Sequence, residues 1–212
     1  ELAAAMASMA AAGSGVDAST CVYDIHVSNQ GLNPMRGGLS GVTGVPAEKL
    51  RVHSIDVGGA FGVRTEAYGE YPALMAAAAR LQRPVKWTGT RSETLLSDHH
   101  GRGALLHGAL ALNADGDFLA ARIHWLVDVG AWWSSAGPMV NAVSPMTMAV
   151  NVYTLPLVEG GSRCVFTNAC PTTAYRGASR PSASYLMERL VDEAARAGGF
   201  DPVELRRRNL IA

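Results

Sequence analysis

Apolar and polar positions change their spacing several times along the chain, and each change marks a predicted element. Residues Thr20 to Val27 alternate in part, as a strand does, and "SNQGLNP" then supplies polar and turn residues. "KLRVHSIDVGGAFG", from Lys49 to Gly62, predicts a strand running into a glycine-rich turn. Beyond it Tyr71, Leu74, Met75, Ala78 and Leu81 fall on one helical face, with Pro84 as the stop. "PVKWTGT" predicts a short strand.

Between Gly103 and Asp128 the period becomes two. Two apolar runs flank "NADGD", Asn113 to Asp117, which predicts a β-hairpin. Ala121, Ile123, Trp125 and Val127 alternate with Arg122, His124, Leu126 and Asp128, so the first set is expected on the buried face. Residues 129–160, rich in Gly, Pro, Ser and Met, show no clear period and predict irregular structure with a short helix. A final long helix opens at Pro181 or Ser182, carries Met187, Leu190, Val191 and Ala194 as its apolar stripe, and ends at Gly198 and Gly199. Asp201, Pro202 and Glu204 form a start signal resembling a capping box for one more short helix. The fold class predicted is α+β, mixed sheets with packed helices.

Composition changes this picture little. The chain has 212 residues, 48% hydrophobic and 17% charged, with 18 basic and 18 acidic side chains. It can bury a core, and it lacks the basic excess that nucleic acid or an anionic membrane would attract. Cys21, Cys164 and Cys170 have neither zinc-type nor C-x-x-C spacing and read as reduced thiols, mostly buried, in a cytoplasmic protein. "ELAAAMASMAAAGSGV" has no basic flank and is too short to span a bilayer, so residues 1–19 read as a linker or helix remnant. The opening Glu1 suggests a piece excised from a longer chain.

Candidate chemistry sits in loops. "GGAFG", Gly58 to Gly62, lets backbone approach a ligand, although a tight turn uses the same residues. It matches neither a phosphate-binding Walker loop nor the dinucleotide fingerprint. Arg176 and Arg180 precede a helix start, where guanidinium groups can grip phosphate or carboxylate, or else pair with Glu188 or Asp192. Gln30 can donate a side-chain N–H to a ligand or serve a surface turn. His99 and His100 are adjacent and point apart on any strand, so no metal site is expected there. No hydrolase motif is present.

Taken in order, "DVGGAFG", "YPALMAAAARLQRPVKWTGTRSETLLSDHHGRG" and "VFTNACPTTAYRGASRPSASYLMERLVDEAARAGGFDPVELRRRNLI" resemble the molybdenum-binding large subunit of the xanthine oxidase family, which includes aldehyde oxidoreductases and proteins similar to carbon monoxide dehydrogenase. The match is collinear from about Cys21 to Ala212. The resemblance implies that residues 20–212 form the first molybdopterin-binding domain of such a subunit. It implies a molybdopterin cofactor, in bacteria usually the cytosine dinucleotide form, with iron-sulfur clusters and FAD on partner subunits or domains. The activity implied is oxidation of a small molecule with water-derived oxygen, the protein supplying position and hydrogen bonds. Other partners would be the rest of the large subunit; no nucleic acid or membrane is implied.

By the same resemblance, Gln30, Gly59, Phe61 and Gly62 lie at the metal end of the cofactor, with Ala60 standing where a third glycine is usual. Ala174, Tyr175, Arg176 and Gly177 contact the pterin, and Arg180 steadies that loop or the helix after it. No protein ligand to the metal is expected in this chain. A cysteine stands at the position of Gly177 in copper-molybdenum carbon monoxide dehydrogenases, and purine hydroxylases carry an arginine before "NVYTLP" that "MVNAVSPMTMAV" lacks. Aldehydes, N-heterocycles or aromatic acyl thioesters remain. Trp132 and Trp133 are expected in the core, or else lining an apolar pocket. The general base of the family, a glutamate, is expected beyond Ala212, so the enzyme is incomplete in this chain alone. The alternative is a non-catalytic, truncated or degenerate cofactor-domain fragment.

Overall fold

The computed structural model describes residues 20–212, so the linker expected over 1–19 lies outside the described residues. The chain divides into two compact units, one ending at Leu96 and the other running from Ser97 to Ala212.

In the first unit, strand β1 (Tyr23–His26) pairs in parallel with β2 (Leu50–His53), Tyr23 opposite Leu50 and His26 opposite His53. A parallel pair needs a crossover, and helix α1 (Leu32–Thr43) provides it. The last three residues of "SNQGLNP", expected as turn, are therefore the first turn of a helix that the sequence reading does not include. Gly37, Gly38 and Gly41 dilute its helical signal, and only Met35 and Leu39, four residues apart, are buried on it. Helix α2 (Glu70–Leu81) follows as predicted, stopped by Gln82 in the left-handed conformation. Tyr23, Met35, Leu39, Leu50, Met75 and Ala79 form the core of this unit.

"PVKWTGT" makes no strand. The determining signal lies at its end. The Glu93 N–H donates to Thr90 Oγ1 (3.2 Å) while the Thr90 N–H donates to Glu93 Oε2 (2.6 Å), a reciprocal cap that starts helix α3 (Arg91–Ser97).

The second unit is built on the predicted hairpin. Strand β3 (Ala104–Leu112) runs antiparallel to β4 (Phe118–Asp128), and Ala121, Ile123, Trp125 and Val127 are buried as their alternation requires. A third strand, β5 (Leu157–Val165), joins β4 in parallel, giving the order β3-β4-β5. Between β4 and β5 the chain forms a π-helical turn (Met139–Val143) and short helix α4 (Ser144–Thr147). Helix α5 (Arg180–Gly198) packs on β3 and buries Ala183, Leu186, Met187, Val191 and Ala195. Asp201 caps α6 (Pro202–Asn209), accepting from the N–H groups of Val203 and Glu204 at 2.9 Å each. Both units mix helices with sheet, as the fold class anticipates.

Buried Asn209 ties α6 to the hairpin: its amide donates to the carbonyls of Gly116 (2.9 Å) and Leu205 (2.8 Å) and accepts from the Phe118 N–H (2.8 Å). Glu188 and Asp192, candidate partners for Arg176 and Arg180, instead take Arg206, at 2.8 and 2.7 Å. Glu188 also accepts from the hydroxyl of buried Tyr153 (2.6 Å). Burial, then that hydrogen bond, pushes the tyrosine up to about 12 from its ordinary value of 10.0. The folded form therefore holds this proton more tightly, so its contribution is complete below pH 10.0 and is lost as pH rises through about 12. Wild type minus Tyr153→Phe, followed by chemical denaturation from pH 9 upward, should lose roughly 1–3 kcal/mol across that window. A difference independent of pH would show that the phenol is not held.

Trp132 and Trp133 are not core residues. They are 58% and 57% exposed, and Trp133 leans toward exposed Phe166 with ring centroids 6.0 Å apart. The core positions belong to the alternating face of β4, and burial continues through Val129 and Gly130 before the chain emerges at Ala131 and the two tryptophans. The three cysteines are free thiols, each partly buried. Among the described residues no helix is long and apolar enough to cross a membrane.

Candidate functional site

Each unit gathers its own four sequence-predicted residues into a loop cluster. In the first unit the organiser is Asn29, which sequence reasoning did not single out. Its buried side chain accepts from the Gly31 N–H (2.6 Å) and donates to the Arg64 carbonyl, to which the Gln30 N–H also donates at 3.4 Å. The segment after β1 is thereby fastened to the loop after β2.

Gln30 makes the second fastening. The Gly62 N–H donates to Gln30 Oε1 at 3.1 Å. A backbone N–H can only donate, so this bond decides which way the amide faces and leaves Nε2 as a donor. Next to it the backbone is unusual. Gly59, Phe61 and Gly62 have φ of +115°, +51° and +99°. Phe61 is held in a left-handed conformation that costs a non-glycine residue about 1 kcal/mol or more, while its ring is 52% exposed. Ala60 has no positive φ, so its Cβ meets no left-handed backbone and its departure from the family glycine leaves the loop intact.

In the second unit, Ala174, Tyr175, Arg176 and Gly177 lie on a loop held on three sides. Behind it, the Thr173 N–H donates to the His100 carbonyl (2.8 Å) and the His100 N–H to the Pro171 carbonyl (2.9 Å). Buried Thr172 donates its hydroxyl to the Asp128 carbonyl (2.7 Å) and accepts from the Ser134 hydroxyl at its own carbonyl (2.7 Å). At the far end Gly177, Ala178 and Ser179 have consecutive positive φ values of 91°, 46° and 68°. Such a run turns the chain sharply into α5. Ser179 occupies the N-cap position, yet its hydroxyl bonds no helical N–H; it donates to Asn141 Oδ1 at 2.9 Å, both residues being buried. The Asn141 amide donates in turn to the Thr173 carbonyl (3.4 Å). Arg180 Nη1 donates to the Gly177 carbonyl (3.3 Å), so this arginine braces the loop.

On the third side lies Arg102, also absent from the sequence-predicted set. Its guanidinium carbon is 4.7 Å from the Tyr175 ring centroid, and Nη2 donates to the Arg176 carbonyl. Its Nε is buried with no hydrogen-bond partner among the described residues. The described residues contain no group of three or more His, Cys, Asp or Glu side chains placed to hold a metal ion.

Comparison with known proteins gives the geometry its family. The model described as "Molybdopterin cofactor-binding domain" matches residues 6–210. The carbon monoxide dehydrogenase large chain of Hydrogenophaga pseudoflava is 32% identical over 188 residues, which is 88% of this chain and 23% of that one. The nicotine 6-hydroxylase large subunit of Paenarthrobacter nicotinovorans is 32% identical over 196 residues, 87% of this chain and 23% of that one. The solved structure of quinoline 2-oxidoreductase from Pseudomonas putida 86 superposes with a TM-score of 0.83 at 30% identity, covering 89% of this chain and 24% of its own. The chain thus spans about a quarter of the length of the relatives it matches, and it belongs to the molybdopterin cofactor-binding domain family of the xanthine oxidase-type molybdenum enzymes.

Proposed function

We propose that this chain is the first molybdopterin-binding part, residues 20–212, of the large subunit of a cytoplasmic molybdenum hydroxylase that oxidises an N-heterocycle or aldehyde. The observation that carries the reading is the Gly62 to Gln30 hydrogen bond. It joins two segments, 32 residues apart, that the family resemblance assigns to one centre.

Each unit, taken by itself, offers a donor suited to an anionic ligand rich in hydrogen-bonding groups. Gln30 Nε2 is an oriented donor, and the buried Nε of Arg102 is a cationic N–H for which the described residues supply no acceptor. Gln30, Gly59, Phe61 and Gly62 would hold the metal end, and Ala174, Tyr175, Arg176 and Gly177 the pterin. When bound, the cofactor supplies the redox chemistry that places water-derived oxygen on an electrophilic carbon. The chain's own part is to bind and orient: Gln30 donates a hydrogen bond, the exposed Phe61 ring covers apolar surface, and the 174–177 backbone fixes the pterin's pose.

A carbon monoxide substrate is not proposed. Gly177 carries no thiol, and at φ +91° a Cβ there would stand 2.8 Å from Pro181 Cδ. Relatives named for nicotine and quinoline favour the heterocycle. The general base would come from the remainder of the large subunit, and electrons would leave through iron-sulfur and FAD subunits. The cofactor would carry the cytosine dinucleotide.

The test is metal analysis of this chain purified from its native host with whatever accompanies it. Stoichiometric molybdenum, pterin released on denaturation and iron-sulfur and flavin absorbance are expected. A folded chain isolated alone and free of molybdenum would instead establish a non-catalytic fragment.

A further inference from the structure

We propose that Arg102 is the positioning residue of the 174–177 loop, the side chain that fixes the main chain from which Tyr175 and Arg176 are presented. The inference rests on the reading above in one respect, that this loop faces the cofactor. Three contacts converge on it. The guanidinium carbon lies over the Tyr175 ring, 4.7 Å from its centroid. Nη2 donates to the Arg176 carbonyl. Gly101, the residue before it, lies so close to Tyr175 that an added Cβ would be 3.3 Å from Tyr175 Cγ, so the backbone of this segment packs on the same ring.

Arg102 does this from φ +63°, a left-handed backbone that disfavours any residue except glycine. Its backbone is anchored nearby, because the carbonyl of Gly103 accepts from the Asp128 N–H at 2.8 Å. Lysine cannot replace it. An ammonium has no plane to lay on the ring while donating sideways to a carbonyl, whereas the guanidinium does both at once. Thr173, Ser179 and Arg180 fasten the loop at its ends and the Ala178 N–H closes a turn onto the Tyr175 carbonyl (2.7 Å), while Arg102 reaches its middle from a segment 74 positions earlier.

Hydrogen exchange on the complex carrying this chain tests the assignment, with pterin content measured on the same preparations. In both Arg102→Met and Arg102→Lys, amides of residues 173–180 should exchange about tenfold faster or more, those of β3 to β5 should not change, and bound pterin should fall. Failure of Lys to restore protection separates the planar contact from simple charge. Wild-type exchange across 173–180 in Arg102→Met overturns the assignment. Faster exchange with full pterin content leaves the clamp standing and overturns the reading that this loop holds the cofactor. Should both variants fail to fold, Tyr175→Leu removes the stacking partner at a 42% exposed position, and unchanged exchange there also overturns the proposal.

Discussion

Gly130→Ala is expected to destabilise the second unit by about 3 kcal/mol or more. Gly130 follows β4 with φ +77°. Two costs coincide. A residue with a side chain is strained in that backbone by about 1–2 kcal/mol. The added Cβ would also stand 2.5 Å from Pro171 Cα and 2.6 Å from the Cys170 carbonyl carbon, where nothing is flexible enough to swing aside. The segment it would push carries Thr172 and Thr173 toward the candidate loop. The Gly130 N–H is in addition held by Asp128 Oδ1 at 2.7 Å, so retreat of its own backbone breaks a hydrogen bond. Denaturant titration measures the loss, and hydrogen exchange should show protection falling first across 165–175. A variant within 0.5 kcal/mol of wild type, about the noise of a neutral surface change, would mean that 130 and 170–171 are not packed as described.

How much of this was legible beforehand follows from the range of each interaction. The hairpin, α5 and the cap of α6 are written in local signals: period-two burial over Ala121 to Val127, the Met187 and Val191 stripe, and Asp201 bonding residues two and three positions on. Strand β5 was hidden because its partner is β4, some 37 residues earlier, and because Gly160 and Gly161 interrupt its apolar run. Helix α1 was hidden by its glycines, and "PVKWTGT" misled because its β-type residues were read without the Thr90 and Glu93 cap that follows.

The site divides in the same way. Gln30, Phe61 and the 174–177 loop could be named from motif order, but Asn29, Arg102 and Asn141 could not. Asn29 reaches Arg64 across 35 positions, Arg102 reaches Arg176 across 74, and Asn141 reaches Ser179 across 38. Nothing in the residues around any of the three announces a distant hydrogen-bond partner. A buried asparagine is recognisable only once burial is known, since the same side chain on a surface turn needs no partner.

Asn141→Leu should cost about 2–3 kcal/mol, more than the loss of one hydrogen bond, because it strands a partner. Ser179 is 2% exposed and its hydroxyl donates to Asn141 Oδ1; without that acceptor the hydroxyl is buried and unpaired at the head of α5. Ser179→Ala strands Asn141 Oδ1 in the same fashion and should cost about 1–2 kcal/mol. The double variant removes both polar groups and should cost about 1–2 kcal/mol less than the sum of the two, measured by equilibrium denaturation of all four proteins. Additivity would dissolve the pair. The comparison also separates fold from site, because Ser179 holds φ +68° and closes the left-handed run from Gly177. If the hydrogen bond is what keeps that run in place, the double variant should be about as stable as Asn141→Leu alone yet leave 174–177 free to shift, so cofactor retention should fall below that of either single variant. Retention that follows stability across all four proteins would assign the pair to the core alone.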